Sequence, residues 1–195
     1  MIALVLCLGF LQAPAVRADI PAPVVEGKGS PSFTVPRLDE TAVIDGRLDE
    51  PVWSQAARLG GFSEYQPADS RPASERTEVL VWYSPKALYL GIIAHDSVAG
   101  SVRATVADRD NIANDDWVRV YLDTFNDRRR AFIFGVNPLG VQEDGVQTEG
   151  GFSAGMTRGA SGGGMYGGNF MSGQVDLSPD YQFDSKGRTT DDGYV

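Results

Sequence analysis

Period-two alternation of apolar and polar positions dominates the middle of the chain. From Glu75 onward Val79, Val81 and Tyr83 alternate with Leu80 and Trp82. After Ser84-Pro85-Lys86, Leu88, Leu90, Ile92 and Ala94 alternate with Tyr89, Gly91, Ile93 and His95. Two such runs around a proline-containing turn predict an antiparallel hairpin, because successive strand side chains point to opposite faces. A third run sets Val118, Val120 and Leu122 against Trp117, Arg119, Tyr121 and Asp123. Asn126-Asp127 turns it into a fourth, with Phe132, Phe134 and Val136 on one face. Val141 to Thr148 predicts a fifth strand, and Val43-Ile44 a short one before the Asp45-Gly46 turn.

One segment has helical spacing instead. Asp49 suits an N-cap and Pro51 a first turn, with Val52, Trp53, Ala56 and Ala57 as apolar positions and Gly60-Gly61 as the stop. Trp53 is expected in the core with Val52 and Ala56. No βαβ rhythm occurs, so the expected fold is all-β: an antiparallel β-sandwich with one short helix.

The flanks read differently. Met1 to Leu11 is an apolar run of 11 residues, too short to cross a bilayer, which takes roughly 20. Val16-Arg17-Ala18 then places small residues at the −3 and −1 positions of a cut after Ala18, so residues 1–18 read as a secretory signal peptide. The alternative is a buried N-terminal strand. Residues 19–36, with Pro21, Pro23, Pro31 and Pro36, read as an extended linker, and the β-domain as residues 37–195. Residues 150–173 contain ten glycines and are expected to form a long mobile loop. Asp191-Asp192-Gly193 followed by Tyr194-Val195 looks like a turn opening another strand, so the sandwich is expected to be C-terminally truncated.

Composition narrows the function. In 195 residues, 17 Lys and Arg face 26 Asp and Glu, a net charge of -9. Loss of Arg17 with the leader makes it 16 minus 26, or -10. The balance argues against nucleic acid and against anionic membrane surfaces as partners. One His and one Cys, Cys7 within the leader, exclude a two-His metal site and a Cys-His pair.

The densest polar cluster is Arg109-Asp110-Asn111 through Asp115-Asp116-Trp117, in the loop entering the third strand, while His95-Asp96 ends the second. If those strands are antiparallel neighbours, both groups sit at one end of the sandwich. Carboxylates there suit calcium, with Asp96 and Asp115 as the candidate ligands. Planar polar groups beside an indole also suit a sugar. The plainer reading is that these acids are turn formers on a solvated rim. Asp115 and Asp116 are adjacent and point to opposite faces, so they alone do not make a glycosidase pair; Asp96 with Asp116 is the pair left open. Trp82 and Trp117 stand opposite the aliphatic face of their strands, either packed under a neighbouring sheet or serving as stacking platforms. His95 reads as a hydrogen-bonded structural residue, since no Ser or Cys nucleophile motif accompanies it.

The run Ile44-Asp45-Gly46-Arg47-Leu48-Asp49-Glu50-Pro51-Val52-Trp53 resembles the opening of family 9 carbohydrate-binding modules. Thr77-Glu78-Val79, Ala87 to Gly91, Ala94-His95-Asp96 and Asp115-Asp116-Trp117-Val118 follow in the same order. Leu122 to Phe125, Asp127-Arg128-Arg129 and Val136 to Gln142 are similar to a group of bacterial envelope proteins in which such a module precedes an outer-membrane β-barrel. The resemblance covers residues 35–195, and the glycine-rich insertion is no part of the minimal module. It implies a jelly-roll-like sandwich that binds oligo- or polysaccharide without catalysis, with structural calcium. It also implies a place in the periplasm or outer membrane of a Gram-negative bacterium and a C-terminal β-barrel in the full-length protein. The ligand-binding candidates are Trp82, His95, Asp96, Arg109, Asp110, Asp115, Asp116 and Trp117. Two other roles stay open: an interaction or gating domain for the barrel with no sugar binding, and an accessory module of a glycoside hydrolase.

Overall fold

The computed structural model describes residues 32–64, 71–149 and 173–195. The leader, most of the linker and the glycine-rich segment 150–172 lie outside these residues. The described chain starts with a 3-10 helix, Pro51–Gln55, and continues through β1 (Ala57–Leu59), β2 (Ser63–Glu64), β3 (Arg71–Pro72), β4 (Thr77–Tyr83) and β5 (Leu88–His95). It goes on through β6 (Val118–Leu122), β7 (Arg130–Val136), β8 (Gln142–Glu149), β9 (Gly173–Asp176), β10 (Thr189–Thr190) and β11 (Gly193–Tyr194). Two main antiparallel sheets form, in the orders β1-β4-β5-β11-β10 and β6-β7-β8-β9, with β2-β3 as a separate pair. The expected all-β, sandwich-like class is the observed one.

The period-two runs became strands because each carries an apolar face to bury. β4 pairs with β5 from Thr77↔Ala94 to Tyr83↔Leu88, and the Ser84 amide closes the turn onto the Ala87 carbonyl at 2.8 Å. Leu80 and Trp82 share one face of β4 and pack with Val52, Trp53 and Ala56 of the N-terminal segment. Trp82 stacks on its cross-strand partner Tyr89 at 3.9 Å and meets Trp53 edge-on at 6.0 Å. A buried tryptophan removes roughly 150–250 Å² from water, worth about 4–6 kcal/mol. Gly91, opposite Leu80, leaves the room that this packing needs: a Cβ there would lie 2.7 Å from Leu48 Cδ2.

Two local expectations are corrected. The helix is a single 3-10 stretch, and Ala57 already belongs to β1, paired with Val81. Ala56 is extended, at φ -66 and ψ 149, because pairing with β4 takes over there. The cap position is Glu50, not Asp49, and its carboxylate caps no backbone amide of the helix. It accepts instead from the Val43 amide at 2.9 Å and the Trp53 indole N–H at 3.0 Å. That contact holds Val43-Ile44 as an exposed loop rather than a strand. The end of the linker is engaged too, since the Tyr83 amide donates to the Pro36 carbonyl at 3.1 Å.

In the second sheet β7 lies between β6 and β8, and Arg119, Gly135 and Glu143 form one cross-strand row. Phe132 and Phe134 lie on the other face, covered by Tyr181 and Phe183, each edge-on at 5.3 Å.

Candidate ligand cleft

β11 pairs with β5 through Gly193↔His95 and Tyr194↔Ala94, so Tyr194 stands beside the end of β5. There His95 and Asp96 form one wall of an open cleft of about 630 Å³. The facing wall is the segment that crosses between the sheets, with Arg103, Asn114, Asp116 and Trp117. The expected meeting of His95-Asp96 with Asp115-Asp116-Trp117 therefore occurs, but by another route. β5 and β6 belong to different sheets and are not neighbours; the loop between them carries the second group across.

Carboxylates shape that loop. Asp115 is buried and accepts from the Thr105 amide at 3.0 Å, the Thr105 hydroxyl at 3.0 Å and the Asn137 side-chain amide at 2.8 Å. The Asn137 amide, then the Thr105 amide, hold its carboxyl below the usual range. Asn137 also accepts from the Leu139 and Val141 amides at 3.0 and 2.9 Å, which ties the loop to the β7–β8 turn. Asp116 exchanges bonds with Arg103: its carboxylate accepts the Arg103 amide at 2.8 Å, and its own amide donates to the Arg103 carbonyl at 2.9 Å. Asp96 accepts from the Ser101 hydroxyl and, at 2.8 Å, the Val98 amide, which together lower its pKa. His95 Nδ1 lies 3.3 Å from Asp192 Oδ2. Burial, then the nearby Asp116 charge, pushes the Tyr194 hydroxyl up.

Trp117 lines this cleft with Tyr194 and is 37% exposed. The Arg119 guanidinium lies over its ring at 4.2 Å. Arg119 does not line the cleft, so it shields the indole from outside it.

Three candidate residues lie elsewhere. Trp82 is 0% exposed and offers no face to a solute, because the N-terminal segment covers the side of β4 that it occupies. Arg109 and Asp110 sit against β8. Arg109 donates to Asp144 at 2.7 Å, to Gln142 at 2.6 Å and to the Tyr181 carbonyl at 2.6 Å, while Asp110 accepts the Asp144 amide at 3.0 Å. Asp144 is fully buried, and a buried carboxylate needs such a partner. Arg109 is thus committed to the fold.

The candidate calcium ligands Asp96 and Asp115 belong to no group of three acids among the described residues. The group that does form is Asp110, Asp144 and Asp180, with oxygens within 4.8 Å of one another. Arg109 supplies the positive charge there, paired with Asp144 and 3.4 Å from Asp180. Tyr194, Arg103 and Asn114 are cleft residues that sequence reasoning missed. Only Tyr194 had a signal, as the start of a strand, and its pairing partner was not readable.

No family model, curated protein or solved structure gives a significant match to this chain. The functional reading therefore rests on the cleft and on the motifs that line it.

Proposed function

We propose that this is a non-catalytic carbohydrate-binding module of an exported bacterial protein, and that the cleft between the end of β5 and the crossing loop takes the glycan. One observation carries the reading: a part-exposed indole, Trp117, shares an open cleft with the polar rim of Asp116, Arg103, Asn114 and His95. An apolar ring face with a few convergent polar groups is the usual chemistry of a saccharide subsite. Of the pair left open for hydrolysis, Asp96 accepts from the Ser101 hydroxyl and the Val98 amide, which lower its pKa and unfit it for the proton-donor role of a glycosidase. The periplasm or outer membrane, ahead of a β-barrel, is the setting that goes with this reading.

Calorimetric titration with neutral oligosaccharides, with and without calcium, tests it. Heat that disappears in Trp117→Ala supports the module. A folded protein that gives no heat with any glycan removes the reading and favours an interaction domain for a barrel.

A further inference from the structure

Trp117 has two ring faces, and the structure treats them differently. One lies under the Arg119 guanidinium at 4.2 Å. The guanidinium is not free to swing away. Its Nη2 donates to Glu143 Oε2 at 2.9 Å and its Nε to Glu143 Oε1. Glu143 is 1% exposed, so the fork is anchored in the sheet interior. Gly135 makes this possible: it stands between the two residues in the cross-strand row, and a Cβ there would be 3.3 Å from Arg119 Cγ and 3.2 Å from Glu143 Oε1. A bidentate guanidinium stacked on a ring fixes that ring's orientation in a way lysine does not reproduce.

The indole also lines a cleft whose acids, Asp96, Asp115 and Asp116, outnumber its one arginine, Arg103. Asp116 and Arg103 are already bound to each other. An anionic ligand arriving on Trp117 would meet three carboxylates against one arginine, whose guanidinium already lies 3.8 Å from Asp116.

We infer that Arg119 and Glu143 are positioning residues that hold Trp117 as a one-faced platform, and that this platform takes an uncharged sugar ring and excludes acidic glycans. The inference rests on the carbohydrate reading of the cleft. It differs from a pair of tryptophans closing on both sides of a sugar, because Trp82 is buried and Arg119 occupies the far face of Trp117.

The experiment has a ligand-free arm and a ligand arm, both on the full chain. Arg119→Met alone strands a buried carboxylate, so R119M/E143Q is made beside it as the better-folding variant, with R119K as the conservative one. Without ligand, acrylamide quenching of indole fluorescence reports mainly Trp117, since Trp53 and Trp82 are buried. The expected result is a quenching constant about twofold higher in R119M/E143Q as the second face opens, and intermediate in R119K. Unchanged quenching overturns the positioning role whatever binds. In the ligand arm, neutral xylo- and cello-oligosaccharides are compared with oligogalacturonates of equal length at low salt. Neutral chains are expected to bind at least about tenfold tighter, with a loss of about tenfold in R119M/E143Q. Equal or tighter binding of galacturonates overturns the ligand class. Binding by no glycan, with the quenching rise present, overturns the carbohydrate reading and the ligand class together and leaves the Arg119 shield standing.

Discussion

Arg119 of β6 and Glu143 of β8 form a bidentate ion pair across β7, over the α-carbon of Gly135. The two residues are not on adjacent strands. They meet because the strand between them has no side chain at that point.

Gly135→Val is therefore expected to destabilise the protein by about 2–3 kcal/mol, as overpacking at a filled site does. Urea denaturation measures it. An unchanged midpoint would show that the pair can move aside.

The two strand tryptophans should behave in opposite ways. Trp82→Ala is expected to cost about 3–5 kcal/mol, because it empties the core between Trp53 and Tyr89. Trp117→Ala should cost about 1 kcal/mol, since the ring is 37% exposed, and should remove glycan binding. Chemical denaturation and calorimetry on both variants separate the cases. A large stability loss at Trp117 with no change in binding would refute the assignment.

Acid should loosen the loop of the cleft. Asp96 and Asp115 have folded pKa values below their ordinary ones, so their contribution is complete above the unfolded value of about 3.9. It is lost as pH falls through the lower folded values. Thermal melts from neutral pH to about pH 2 should show stability falling from about pH 4 downward. Asp115→Asn should be less stable at pH 7 and have a shallower acid slope. An identical slope would mean that Asp115 is not among the groups responsible.

Much of this fold is legible in the sequence, and the exceptions share a cause. β4 to β8 follow from alternation because their pairings are local hairpins with short turns. The same alternation left Trp82 open, because it shows that a side chain lies opposite the aliphatic face but not that residues 38–56 return to cover it. Arg109 finds Asp144 across 35 positions, and His95 finds Asp192 across 97. Such contacts depend on which sheet each strand joins, and periodicity carries no information about that. The helix was over-extended because Val52, Trp53, Ala56 and Ala57 fit a helical stripe equally well when split between a 3-10 helix and a strand.

Arg109 should behave as a built-in cation. Arg109→Ala is expected to cost about 3–5 kcal/mol by stranding the buried Asp144. Asp110, Asp144 and Asp180 would then stand together with no positive charge, and millimolar calcium should restore part of the loss. Differential scanning fluorimetry with and without calcium checks this. A variant indifferent to calcium would show that the three oxygens cannot adapt to a metal.

Gly193→Ala should detach the cleft's edge. Gly193 has φ +141, and a Cβ there would lie 1.9 Å from the Ala94 carbonyl oxygen. Pairing of β11 with β5 is expected to fail at a cost of at least about 2 kcal/mol, and Tyr194 should leave the cleft. The Tyr194 hydroxyl would then titrate lower than in the parent, which ultraviolet difference spectroscopy reads directly. An unmoved titration would mean that β11 stays in place.

The cleft's walls come from the β4-β5-β11 sheet and from the loop that leaves β5 for the other sheet. A ligand touching Trp117 on one side and Tyr194 or His95 on the other is thus a removable crosslink. Occupancy would damp motion of the loop against the sheet, so the bound state is the stiffer one and binding carries an entropic cost set by how freely the loop moves when the cleft is empty. A rigid ligand spanning the gap would gain from that stiffness, whereas a short one resting on a single wall would not.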